Sequence, residues 1–352
     1  MRPIALLLLL FTFAAHAQTV SDEHVYARGA NPVSIAAPRG ALVAWTDAGA
    51  LHVQLVSRRG EPVWPATTIP TTSKAASPAL ATNGETFLIV FSEELSLAAV
   101  VVDANGTQLG PVHEYGTPSS NTPSVVWNVS AYLVWTPLAL YAFDRNGIPA
   151  GSTPNAQRTT RVVGGNDRLL QFQFTSQQET SICWVPWACL KTPASYTISW
   201  TYATATQTTS GSESRNWYAT GPPAATAGND SDFVIAWNAP HGVEAELLRD
   251  GKGIATALVR TLTDPGTSPS VTFDGEHYVV TWEFAGDIFG ALLRGDAPSQ
   301  PFAIATGPRN ESAPRITALG SERFLVTYTS DGDVVGRIVD LPINPGRRRA
   351  VR

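Results

Sequence analysis

An all-β fold, a seven-bladed β-propeller of four-stranded antiparallel blades, is predicted by three observations on this sequence. A phrase recurs along nearly the whole chain, each copy carries turn signals inside it, and its apolar runs have strand length with no helical period. The clearest copy reads Ser268-Pro-Ser-Val-Thr-Phe-Asp-Gly-Glu-His-Tyr-Val-Val-Thr-Trp282 and continues through Asp287-Ile-Phe-Gly-Ala-Leu-Leu-Arg294. It holds a proline, a short strand, an Asp-Gly turn, a strand ending in an aromatic anchor, and a third strand.

The N-terminus reads as a signal peptide over residues 1–17. Arg2 is basic, Ile4 to Ala15 is apolar, and Ala15-His16-Ala17 is a small-x-small cleavage site, so a cut after Ala17 is expected. The apolar run is shorter than the ~20 residues that span a bilayer, so no transmembrane segment is expected. A secreted or periplasmic destination follows. Residues 18–345 are then expected to form one propeller domain, and 346–352 a basic tail.

Charged residues make up 15% of the chain, low for a globular protein, while Gly, Pro, Ser and Thr are plentiful. After removal of Arg2 and of the four tail arginines, 19 basic side chains face 29 acidic ones, a charge of −10 for the body. That balance argues against nucleic acid, whose phosphates call for clustered Lys and Arg. The two cysteines, Cys183 and Cys189, fit neither a C-x-x-C redox motif nor half of a zinc site. In an oxidising compartment they are expected to form a disulfide.

The anchors are Trp45, Phe91, Trp135, Phe172, Trp237, Trp282 and Tyr328, at spacings of 46, 44, 37, 65, 45 and 46 residues. A proline precedes six of them by 12 to 14 residues, at Pro32, Pro78, Pro123, Pro223, Pro269 and Pro314. It is expected at the start of strand A, where it interrupts no ladder. The anchor strands, such as Phe87-Leu-Ile-Val-Phe91, are apolar throughout, as strands buried on both faces are. Turns between strands C and D recur as Arg59-Gly60, Asn105-Gly106, Asn146-Gly147 and Asp250-Gly251, dipeptides of which three are Asn-Gly or Asp-Gly hairpin signals. The fourth repeat lacks the proline and runs about 20 residues long. An insertion over about 175–220 is expected there, including Cys183-Trp-Val-Pro-Trp-Ala-Cys189 and the polar run Thr204 to Ser214. The seventh repeat supplies only strands A, B and C, while His24-Val-Tyr-Ala27 is a spare strand before Pro32. Pairing of that strand with Asp333 to Val339 would complete the last blade and remove an open edge.

The pattern P-x-[VI]-x-x-[DN]-G-x-x-[FY]-[LV]-V-x-W followed by D-[IV]-x-[GA] resembles the repeats of exported bacterial β-propeller proteins, over roughly Pro32 to Val339. The resemblance implies a propeller and brings no catalytic residue with it. WD40 repeats fit poorly, because the anchors are followed by Thr46, Ser92, Thr136, Asn238 and Glu283 rather than Asp.

Trp184, Trp187, Trp217 and Tyr218 in the insertion are candidates for a stacking platform for sugar rings or a peptide. Against this stands the plainer role of covering a degenerate blade. Acidic residues of the B–C loops, chiefly Asp287, Asp331 and Asp333, are weak candidates for Ca²⁺, weighed against ordinary turn chemistry. No cofactor is expected. Histidines His24, His52, His113, His241 and His277 lie in different repeats, and no nucleophile–base motif stands out. The reading is a monomeric binding or scaffold module for an extracellular or envelope ligand, a glycan, peptide or protein. A hydrolase or lyase acting on polysaccharide through one propeller face is the alternative.

Overall fold

The computed structural model describes residues 18–341 apart from 117–122, 129, 137, 155–160, 166–167, 178–179, 186–187, 193–194, 205–207, 216–223, 229–231, 240–241, 250–251, 260–266 and 295–296; for much of 161–215 and for 252–259 it describes the backbone alone. The signal peptide and the basic tail lie outside these residues. Among the described residues there are seven sheets of four or five strands, one additional two-stranded hairpin, and no helix.

Sheet 1 is built from Ala30–Ala37, Gly40–Asp47, Ala50–Ser57 and Thr67–Ile69, labelled A to D in chain order. Sheets 2, 3 and 5 repeat this meander from Ala76–Thr82, Ser124–Asn128 and Ala224–Ala227 onward. In sheet 6, strands A to C are Thr267–Phe273, Tyr278–Phe284 and Asp287–Arg294, and Ala297–Pro298 and Phe302–Ala305 share the fourth position. Sheet 7 takes Glu311–Gly320, Arg323–Ser330 and Asp333–Asp340 from the C-terminal end and its outer strands from the N-terminal end. His24–Arg28 runs antiparallel to Asp333–Asp340, with His24 opposite Gly336 and Arg28 opposite Asp333; Thr19–Val20 pairs further along the same strand.

Strand B is apolar without alternation because each sheet buries both faces between neighbours. Leu42, Ala44 and Val53 of sheet 1 pack on Phe87, Ile89 and Phe91 of sheet 2, while Ala41, Val43 and Trp45 pack on Leu325, Val334 and Ile338 of sheet 7. Similar mixed clusters join sheets 2 and 3, 5 and 6, and 6 and 7. The A strands touch in succession from sheet 1 to sheet 7, and strand A of sheet 7 touches strand A of sheet 1.

In sheets 1, 2, 6 and 7 the proline lies inside strand A rather than at its start; Pro123 directly precedes Ser124–Asn128, and Pro223 lies outside the described residues. Asn31, Ser77, Ser268 and Ala313, each just before the proline, have φ of 53°, 51°, 53° and 53°. At the same places the A–B register skips, for example between Ala30 and Val33 and between Thr267 and Ser270. These are β-bulges, where a residue without an N–H costs no ladder bond.

Trp135 departs from the other anchors. Ser124 pairs with Trp135 where Ser270 pairs with Thr281, so Trp135 stands one residue early. A one-residue shift reverses the face, and Trp135 packs with Val126, Leu133 and Leu140 instead of on sheet 2.

In sheet 4, Arg161–Gly165, Arg168–Gln177, Ser195–Thr204 and Thr208–Arg215 form the four strands. The polar run Thr204 to Ser214 is therefore mostly the regular outer strand and not inserted material. Most of the excess falls in 178–194, the connection between strands B and C. There Thr180–Val185 and Ala188–Thr192 form the separate hairpin.

Candidate functional site

Antiparallel meanders bring the B–C turns and the D–A passages to one end of the sheets and the A–B and C–D turns to the other. At the first end a main-chain bond recurs between sheets. The N–H of Ala75 donates to the carbonyl of Gly49 at 2.7 Å, that of Glu311 to Gly286 at 2.7 Å, and that of Gly29 to Gly332 at 2.9 Å. Each donor stands three residues before a strand-A proline, and each acceptor is the second residue of a B–C turn. The junction of sheet 7 with sheet 1 is thus bonded like those of sheets 1 and 2 and of sheets 6 and 7. The turns Ala48-Gly49, Ala285-Gly286 and Asp331-Gly332 have positive φ at both residues, the I′ geometry that matches strand twist.

Most acidic side chains at this end are engaged in holding the junctions. Glu93 accepts from the Thr72 N–H at 3.0 Å and from the Thr72 hydroxyl. Glu283 accepts from the Ala313 N–H at 3.2 Å, Asp287 from Gly307 N–H at 3.3 Å, and Asp331 from Asn310 N–H at 3.1 Å. Asp333 lies 4.0 Å from the Arg28 guanidinium. Turn and junction chemistry thus accounts for Asp287, Asp331 and Asp333. Among the described residues no group of three or more His, Cys, Asp or Glu side chains is arranged to hold a metal ion.

Glu311 is buried, and its Oε2 has no hydrogen-bond partner among the described residues. Burial, then the nearby Asp287 and Glu23, raises its carboxyl above the usual range, partly offset by Arg337. Glu23 itself accepts from the Tyr328 hydroxyl at 2.8 Å and from Arg309 at 3.2 Å, tying the N-terminal segment to sheet 7 and its approach.

No protein-family profile matches this chain, and no curated protein sequence matches it either. Solved structures do. BamB from Moraxella catarrhalis superposes with a TM-score of 0.54 at 10% identity, covering 93% of this chain and 99% of that one. The Cps50 (Swd1) beta-propeller domain of Myceliophteria thermophila gives 0.55 at 11% identity over 93% and 100% of the two chains. The Pan2 WD40 domain of Neurospora crassa gives 0.53 at 10% identity over 93% and 96%. The fold is a β-propeller. At such identities the likeness extends to the fold alone, and the sheets are its blades.

In propeller terms the insertion replaces the B–C turn of blade 4. Blades 1, 6 and 7 make that connection in two residues, whereas blade 4 uses 178–194 and builds a hairpin there. Cys183 and Cys189 stand directly opposite each other in its register, and Trp184 lies at the irregular step between Cys183 and Val185. Of the proposed platform, Trp187, Trp217 and Tyr218 lie outside the described residues, so the platform is represented by the backbone of Trp184 alone.

Two residues at this end escaped the sequence reading. Leu95 is 86% and Leu138 60% exposed, each at the second central position of its B–C turn. The turns are closed by Glu93 N–H to Ser96 carbonyl and Thr136 N–H to Ala139 carbonyl, at 2.8 and 2.9 Å. Blades 1, 6 and 7 have glycine at that position. A leucine where the repeat otherwise places glycine was the available signal. At the opposite end a cavity of about 510 Å³ is lined by Arg58, Leu319, Glu322, Arg323, Asp340 and Leu341. Of its two arginines, Arg323 is already held by Asp340 through bonds of 2.6 and 2.8 Å.

Among the described residues no helix is long and apolar enough to cross a membrane.

Proposed function

We propose that this chain is an exported, seven-bladed propeller that serves as a binding or scaffold module for an extracellular or envelope ligand. The observation that carries the reading is how its B–C end is used. Carboxylates of the regular blades there accept N–H and hydroxyl groups of the D–A passages and, at Glu283, of the next blade, so their chemistry is spent on structure. The leucine tips and the inserted hairpin, in contrast, add surface that the blade junctions do not need.

A ring of seven blades is supported by the equivalent bonds at Gly29, Ala75 and Glu311, and by the N-terminal strand standing in for the fourth strand of blade 7. Export rests on the sequence of residues 1–17. A Cys183–Cys189 disulfide is supported by that compartment and by the facing register positions, since a directly opposed antiparallel pair brings two Cβ atoms within about 4.5–5.5 Å.

The test is an array of glycans and peptides probed with the mature protein, repeated with calcium and with chelator. Saturable binding to one class supports the reading. Turnover of a polysaccharide without saturable binding to any other ligand would replace it with the hydrolase or lyase alternative.

A further inference from the structure

We propose that Arg315, on the innermost strand of blade 7, anchors a binding site for a ligand carboxylate on the wall of the central channel. This rests on the binding-module reading and deepens it by naming one residue and one ligand class.

The innermost strands define the place. The A strands touch in succession, and that of blade 7 touches that of blade 1, so together they surround the axis of the proposed ring. They carry small, apolar and hydroxyl side chains; the basic residues on them are Arg161 and Arg315, and the acidic one is Glu311. Glu311 belongs to the junction of blades 6 and 7, beside Asp287 and Glu23. The residue after the strand-A proline is Val33, Ala79, Ser124, Ala224 or Ser270 in other blades, and Arg315 in blade 7. Ser270 shows where this position points, because its hydroxyl accepts the Ile316 N–H of the next blade at 3.2 Å. Two residues beyond Arg315, on the same face of the strand, the Thr317 hydroxyl meets that of Ser34 in blade 1 at 2.7 Å. Arg315 therefore starts from the seam between the A strands of blades 7 and 1. An arginine is too long to end in such a seam, and the residue stays partly exposed beside the channel.

Its guanidinium lacks a counter-charge. Nη1 donates to the Pro314 carbonyl at 2.9 Å, and no carboxylate among the described residues pairs with it. Burial lowers its pKa from the usual value, and no acid stands close enough to oppose that. Elsewhere in this chain the Nε–Nη2 edge is filled by a carboxylate: Arg249 meets Asp232 at 2.6 and 2.9 Å, and Arg323 meets Asp340 at 2.6 and 2.8 Å. In Arg315 that edge is open. Directly opposite in the ladder stands Thr327, whose Oγ1 is buried and also has no partner among the described residues. A desolvated charge without a partner costs stability, and the group that fits this edge is a carboxylate bound through two parallel bonds. The body's charge of −10 disfavours polyanions, so a ligand with a single carboxylate suits the site best.

The experiment titrates mature protein with glucuronate by calorimetry, beside glucose as its neutral counterpart and inorganic phosphate as a second anion. Glucuronate should bind saturably and glucose should not. Arg315→Gln should weaken glucuronate at least about tenfold, and Arg315→Lys, which keeps the charge without the fork, should recover part of that loss. Arg315→Gln should melt no lower than wild type, since it removes an unpaired charge. Arg145→Gln, at an exposed arginine of a C–D turn, should bind glucuronate as wild type does. Full binding by Arg315→Gln, or equal binding of glucuronate and glucose, overturns the inference. Phosphate binding more tightly than glucuronate overturns the carboxylate assignment. A protein that ignores glucuronate but binds a ligand on the array loses this inference and keeps the module reading. One that binds nothing in either assay loses both.

Discussion

Replacing Tyr26 with alanine, alone and together with Gly336→Ala, tests whether the N-terminal strand completes the last blade. Tyr26 and Gly336 are 310 residues apart in sequence, yet a Cβ on Gly336 would stand 2.8 Å from Tyr26 Cζ and closer still to the hydroxyl. The Tyr26 hydroxyl donates to the Gly60 carbonyl at 3.0 Å, and the ring packs beside the cluster joining blades 7 and 1. Burial also lifts its phenol well above the usual value, so it stays a neutral donor across the working range. Tyr26→Ala should cost about 2–3 kcal/mol, the lower part of the range for removing an aromatic ring from a core. Gly336→Ala alone should cost about 2 kcal/mol, because the ring or the strand must move aside. With the ring already gone, the added methyl meets open space, and Gly336→Ala should become neutral or slightly stabilising. The coupling is then on the order of 2 kcal/mol, far above the few tenths expected of independent sites. Thermal melting by circular dichroism reads it as roughly 2 °C for each kcal/mol in a chain of this length. Strict additivity of the two substitutions would refute the docking of His24–Arg28 on Asp333–Asp340.

Unreduced mature protein should show no alkylatable thiol by mass spectrometry, and two free thiols would remove the Cys183–Cys189 bridge; its loss through Cys183→Ser/Cys189→Ser should cost about 2 kcal/mol or less, since the loop is short. Glu311→Gln should raise the melting temperature near neutral pH and lose that advantage in acid. The Glu311 carboxyl is raised in the folded state, so the native protein binds its proton more tightly, and stability falls as pH rises from the usual carboxylate range through the folded value. A variant whose advantage is the same at both pH extremes would contradict this. Gly147→Ala should destabilise by about 1–3 kcal/mol, as φ is 77° and the new methyl would run into Val101 of the preceding blade. An unchanged denaturant midpoint would show that this C–D turn does not seat on blade 2.

Local chemistry carried much of the architecture into the sequence. A strand flanked by sheets on both faces is apolar along its length, so Phe87 to Phe91 reads as buried without any structure. A tight turn demands positive φ, which marks Gly60, Gly106 and Gly147 of the C–D turns. The unmatched strand His24 to Ala27 and the absent fourth strand of repeat seven pointed to each other because an open sheet edge leaves main-chain groups unpaired. Other features depend on relations that a linear reading does not contain. Trp135 reads as an anchor by type and spacing, but a single-residue shift in pairing sends it to the other face, and pairing is decided by the neighbouring strand. Thr208–Arg215 reads as a loop because an outermost strand need not be apolar, so only its ladder with Ser195–Thr204 identifies it. The acidic residues of the B–C end look alike in sequence. Their division into junction acceptors, such as Glu283 and Asp331, and exposed charges, such as Asp47 and Glu94, depends on N–H groups contributed by loops 21 or 30 residues away. Leu95 and Leu138 are ordinary leucines in the sequence, and only the structure shows them exposed at the tips of their B–C turns.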